Sequence, residues 1–153
     1  MTAMFSFFKR SKPARAVIDG ETVHVLLDNA LRGRKAPNYR HLAQKQRMAV
    51  IGYAEIEKAS AKSFSPWVEG RWECEDIARS LIETAQRTAA NEGLSWACGT
   101  LRADGAGNTL HVYAWAIVAR EGRFTDRDVV FYDPTARRWV GADELKNVDY
   151  TLT

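Results

Sequence analysis

The chain has 153 residues, of which 46% are hydrophobic, 10% aromatic and 27% charged, the composition of one globular domain that can bury a core without disulfide or metal support. Two cysteines, Cys74 and Cys98, with three histidines and no C-x-x-C pair exclude a disulfide framework and a zinc site of ordinary spacing, and no apolar run reaches the roughly 18 residues of a membrane-spanning helix. The net charge of +3 is asymmetric: residues 1–50 carry ten Lys/Arg against three Asp/Glu while the remainder is net acidic, so attraction to an acidic partner belongs to the N-terminal third.

Residues 1–15 place Phe5, Phe7 and Phe8 ahead of Lys9, Arg10, Lys12 and Arg15, the reverse order of a secretory signal. The expectation is a cytoplasmic chain with a basic, aromatic arm over 1–15 that can meet a protein partner, followed by a single domain over 16–153. Residues 16–27 read as a hairpin or an interrupted strand, because β-branched residues flank Asp19-Gly20. Residues 30–37 are basic and turn-prone. From Tyr39 to about Ala61 the composition predicts a helix, with Leu42, Gln46, Ala49, Val50, Tyr53 and Ile56 close to one face and Gly52 as a point where it can split. Residues 63–72 read as a loop carrying Trp67 and Trp72.

The clearest helix spans about Glu73 to Asn91, where Cys74, Ile77, Ala78, Leu81, Ile82, Ala85 and Ala89 recur at helical spacing and Gly93 ends the pattern. Beyond it the period becomes two. Strands are predicted over 95–102, 109–120, 129–132 and 137–140. The fold class expected is α+β: an N-terminal helical part and a core helix packed on an antiparallel sheet.

Nucleophilic cysteine chemistry needs a thiolate, a base able to become an imidazolium beside it, and a group that fixes the ring's tautomer. Cys74, His111 and Asp133 supply these types in order. Cys74 opens the best helix, where free N–H groups and the helix dipole favour a thiolate. If the strands bearing His111 and Asp133 are antiparallel neighbours, the start of one lies beside the end of the other. Glu73, Glu75 and Asp76 crowd the sulfur, and close carboxylates would raise its pKa.

The segments W-E-C-E-D-I-A at 72–78, H-V-Y-A-W-A at 111–116 and Y-D-P-T at 132–135 resemble the core of the transglutaminase-like and papain-like cysteine-peptidase superfamily. Its small relatives include peptidase-like domains of phage and bacterial proteins and the papain-like domain of a fungal agglutinin. The resemblance covers roughly residues 72–140. It implies a papain-like or transglutaminase-like core with Cys74 as nucleophile, His111 as base and Asp133 as orienting acid. It also implies a thiol peptidase or amidase acting through a thioester on a protein or peptide, with Gln44 or Gln46 as candidates for an oxyanion-stabilising Gln. No cofactor or metal is called for. The alternative is an inert structural or partner-binding module of the same fold, such as a phage-particle component, which would place the chain in a virion.

Trp67 and Trp72 flank the helix start as candidate walls of a substrate cleft, with core packing as the alternative reading. Cys98 falls in a strand and reads as core. His24 and His41 are competing bases without an acidic residue at a recognisable turn. The basic residues Arg32, Arg34, Lys35, Arg40, Lys45 and Arg47 form no nucleic-acid motif, so no sequence-specific nucleic acid is expected.

Overall fold

Asp19 begins a helix rather than a turn. Its carboxylate accepts hydrogen bonds from the Thr22 N–H and hydroxyl, both at 2.8 Å, which satisfies a free donor of the first turn. Helix α1 (Gly20–Ala30) buries Val23, Leu26 and Leu27 along one stripe. The expected hairpin over 16–27 is therefore corrected to a short strand, β1 (Val17–Asp19), followed by this helix. Asp-Gly is a turn signal and an N-cap signal alike, and the 3.6-residue recurrence of buried positions decides between them.

The computed structural model describes residues 15–42, 47–105, 109–118 and 124–153. The arm expected over 1–15 lies outside these residues except for Arg15, and Gln44, Lys45 and Gln46 lie outside them too. The Arg15 guanidinium pairs with Glu55 and, at 3.1 Å, with Glu92, and it sits 4.9 Å from the centre of the Trp96 ring.

The single helix expected over 39–61 is replaced by β2 (Lys35–Leu42), β3 (Arg47–Ala49) and α2 (Tyr53–Ser63). Gly52 is the N-cap of α2, and its N–H donates to Glu55 Oε2 at 2.7 Å. Upstream, β2 is extended because its partner is the last strand of the chain, β8 (Lys146–Leu152), with which it pairs in parallel. Tyr39 and His41, two residues apart on one face, both reach the Thr151 hydroxyl. A partner about 110 residues away leaves no trace in local periodicity.

Helix α3 (Cys74–Asn91) forms as expected, and Gly93 follows its end with a left-handed φ of 70°, a conformation that glycine adopts without steric cost. The strands β4 (Cys98–Asp104), β5 (Leu110–Ile117), β6 (Val129–Asp133) and β7 (Arg138–Val140) are antiparallel in succession. Strand β8 inserts beside β4, giving the order β2-β8-β4-β5-β6-β7, while β1 and β3 form a separate pair.

Both faces of the larger sheet are covered. Tyr113, Trp115 and Ile117 of β5 pack with α1, whereas Ala114 and Ala116 pack with Ile56 of α2 and Leu81 and Ala85 of α3. Alternation on a strand sends successive side chains to opposite faces; small residues on the α3 side let the helix approach closely. The described residues thus form eight strands and three α-helices. The expected α+β arrangement, with a helical N-terminal part, is corrected to a β-rich fold.

Candidate functional site

Cys74 is the first residue of α3, His111 the second of β5, and Asp133 the last of β6. The register Ala114↔Tyr132 lays the end of β6 beside the first half of β5. The fold brings the three side chains together. His111 Nε2 lies 2.9 Å from Asp133 Oδ1, and the His111 ring also makes a hydrogen bond with Cys74. With Nε2 on the carboxylate, Nδ1 is the ring nitrogen left for the sulfur.

Each member is held from behind. Asp133 Oδ1 accepts backbone N–H bonds from Thr135 (3.0 Å) and Ala136 (3.1 Å), so the Asp-Pro turn fixes the carboxylate as well as ending the strand. The Tyr113 ring meets the His111 ring edge-on, with centroids 4.8 Å apart. Backbone N–H groups of Val112 and Glu75 hydrogen-bond the Cys74 sulfur. These supports were not foreseen in the sequence, although Asp-Pro-Thr signalled the turn that supplies two of them.

The electrostatics follow from these contacts. The hydrogen bond from His111 chiefly lowers the Cys74 pKa, against partial burial that would raise it. Burial opposes the charged form of His111, but the bonds to Asp133 and Cys74 outweigh it and lift its pKa to about 9. Burial likewise opposes the Asp133 carboxylate, and the His111 and backbone N–H bonds overcome it, leaving its pKa below the ordinary value. The acidic crowding expected around Cys74 does not dominate. Asp76 is occupied by Arg79 at 2.5 Å and by the Glu73 N–H at 3.1 Å, and Glu75 meets the sulfur through its N–H.

A group whose folded-state pKa is lowered adds stability above its unfolded value, and this is lost as pH falls through the folded value. Asp133→Asn is therefore expected to lower the urea midpoint at pH 6, with the gap from wild type shrinking below about pH 4, where the unfolded aspartate protonates. Urea titrations from pH 2 to 7 check this; a gap unchanged across that range would refute it.

The other candidates are placed as follows. Val68 and Trp72 bridge each other across a turn in which Gly70 has φ 65°, immediately before α3. Trp67 is 52% exposed, while the Trp72 indole nitrogen is enclosed without a hydrogen-bond partner. Cys98 is fully buried, 3.4 Å from Gln86 Nε2. His24 and His41 stack on each other at 4.5 Å, with His24 near Asp28 and His41 on Thr151. Within the basic stretch, Lys35 pairs with Asp28 and Arg32 bonds Asn29. Among the described residues no group of three His, Cys, Asp or Glu could hold a metal ion, and no helix is long and apolar enough to cross a membrane.

No family model matches the chain. No curated protein sequence matches it either. Solved structures do. One is a PSL1a-E64 complex, with a TM-score of 0.69 at 20% identity over 90% of this chain and 51% of that one. Another is Polyporus squamosus lectin bound to the human-type influenza-binding epitope Neu5Aca2-6Galb1-4GlcNAc, with a TM-score of 0.68 at 22% identity over 90% of this chain and 49% of that one. The chain thus spans about half the length of the lectin chains it matches.

These neighbours share the fold and are lectin structures, which corrects the papain-like and transglutaminase-like peptidase identification. It corrects with it the expected hydrolase and thiol-protease activity, the protein or peptide substrate, and the inert peptidase-fold or phage-particle alternative. The physical reason lies in what the three motifs encode. A Cys at a helix start with His and Asp at two strand ends records how one helix meets an antiparallel sheet, and that meeting fixes neither the family nor the bond acted upon.

Proposed function

We propose that Cys74, His111 and Asp133 form a nucleophilic thiol site, in which the sulfur rests as a thiolate beside an imidazolium. The observation that carries the reading is the position of His111, hydrogen-bonded to the sulfur on one side and 2.9 Å from Asp133 on the other. A thiolate is the reactive form of cysteine, and pairing with an imidazolium keeps it available well below the ordinary thiol pKa. Asp133 orients the ring and stabilises its charge. Trp67, exposed just before the turn that leads into α3, is the residue this reading assigns as a wall for an approaching molecule.

Alkylation by iodoacetamide at pH 6, located by peptide mass spectrometry, tests the reading. Rapid modification confined to Cys74 is expected; slow modification, or labelling only on unfolding, would sink it.

A second reading, glycan binding, is favoured by the similarity to a lectin structure that holds a sialylated epitope. Titration calorimetry with that epitope tests it: saturable binding that survives in Cys74→Ala supports the reading, and no heat at millimolar glycan removes it. The two readings concern different groups, so either can fail without the other.

A further inference from the structure

His111 has to aim two nitrogens at once. Nε2 lies 2.9 Å from Asp133 Oδ1, which leaves Nδ1 for the Cys74 sulfur. The torsion that turns an imidazole about its Cβ–Cγ bond is broad, so the carboxylate alone leaves the ring room to tilt, and a tilt carries Nδ1 off the sulfur. A contact against the flank of the ring removes that freedom.

Tyr113 makes this contact. It lies two residues beyond His111 on β5 and so shares its face of the sheet, and the two rings meet at 78° with centroids 4.8 Å apart. The cross-strand partner of Tyr113 on β4 is Leu101, and that of His111 is Ala103. The Tyr113 hydroxyl nevertheless ends at Gly105, two residues past Ala103, where an added Cβ would lie 2.2 Å from it. The Tyr113 ring therefore runs lengthwise past the Ala103–His111 pair. Gly105 is buried, and its N–H donates to the Thr109 carbonyl at 2.9 Å, so this stop is tied in place. Tyr113 is itself buried. Burial, and after it the Asp133 carboxylate, raises the Tyr113 pKa; the phenol stays neutral and acts by position rather than by charge. We infer that Tyr113 is a positioning residue for the thiol site: its ring, stopped at the hydroxyl end by the bare backbone of Gly105, holds the His111 imidazole in the plane that presents Nδ1 to Cys74, an inference that rests on Cys74 being the thiolate partner of His111.

Gly105→Ala tests this by driving a methyl group into the Tyr113 hydroxyl, with iodoacetamide alkylation of Cys74 followed from pH 5 to 9. Misplacing a positioned group by 1 Å can cost on the order of 100-fold; transmitted through His111, about tenfold slower alkylation at pH 6 is expected, and the lower edge of the pH plateau should move upward. In a Tyr113→Phe background the nearest ring atom is 3.5 Å from the added methyl, an ordinary contact, so the same Gly105→Ala change should cost less than about twofold there. Tyr113→Leu keeps the position apolar and removes the ring, and it too should slow alkylation at pH 6 by about tenfold. Cys98, fully buried, should stay unlabelled in every variant. Unchanged rates in both Gly105→Ala and Tyr113→Leu, or an equal cost of Gly105→Ala with and without the hydroxyl, would overturn the positioning role while leaving the nucleophile in place. Labelling of Cys98 alongside Cys74 would overturn it as well, by tracing the loss to a loosened sheet. Slow reaction of the wild type at pH 6 would instead overturn the nucleophile, and the positioning role with it.

Discussion

His111→Ala is expected to slow iodoacetamide alkylation of Cys74 at pH 6 by about two orders of magnitude. An ordinary thiol with a pKa near 8.5 is roughly 0.3% thiolate at that pH, whereas a thiolate held by an imidazolium is largely ionised. The lower intrinsic nucleophilicity of an acidic thiol returns part of that factor, which places the loss between about 30-fold and 300-fold. The pH profile separates this from a packing effect. In the wild type the rate should stay nearly level from the depressed thiol pKa up to about 9, where His111 loses its proton. In the variant it should climb about tenfold per pH unit toward the ordinary thiol value. His111 is partly exposed at the edge of β5, so the variant should remain folded, and near-ultraviolet circular dichroism verifies that. A variant profile that overlays the wild type would mean that the ring contributes nothing to the state of the sulfur.

Gly99→Ala is expected to destabilise the fold by about 3 kcal/mol. Gly99 pairs with Trp115 across β4 and β5, beside β8. A Cβ at this position would lie 1.8 Å from the Leu152 carbonyl oxygen, 2.8 Å from its carbonyl carbon and 2.9 Å from Trp115 Cζ2. Two of those atoms are backbone, and the third belongs to a fully buried ring whose indole N–H donates to the same carbonyl at 3.2 Å. No side-chain rotation relieves such a contact, so β8 itself must move. Urea unfolding measures the loss, and a change below about 1 kcal/mol would show that β8 yields freely. Because Cys74, His111 and Asp133 stand on α3, β5 and β6, the labelling of Cys74 should persist in whatever fraction stays folded.

The two variants divide the molecule usefully. His111→Ala removes a charge relation and leaves the sheet, whereas Gly99→Ala disturbs the sheet and leaves the charge relation. Their contrasting outcomes distinguish a reactive thiol from a buried thiol that labels when the protein loosens.

Local chemistry made part of this arrangement readable from the chain alone. The amphipathic stripe of α3 and the glycine after it fixed that helix nearly to the residue. The strand positions of His111 and Asp133 followed from period-two patterning, and their meeting followed from antiparallel order. Other elements resisted for identifiable reasons. The extended state of β2 depends on pairing with β8 from the far end of the chain. The first helix was masked because Asp19-Gly20 serves equally as a turn or as a cap. Strand β8 passed unread as seven terminal residues with only Val148 and Thr151 fully buried.

Residue types and their order along the chain determined which groups could act at the site and on which elements they ride. The tertiary structure decided what those groups become. The His111 ring and the Val112 N–H lower the pKa of the Cys74 sulfur, and the His111 ring with the Thr135 and Ala136 N–H groups lowers that of the Asp133 carboxylate. The fold was likewise decided by the course of the whole sheet rather than by three short motifs. Periodicity is a property of neighbours in sequence, whereas charge state and fold depend on groups that only folding brings within a few ångströms.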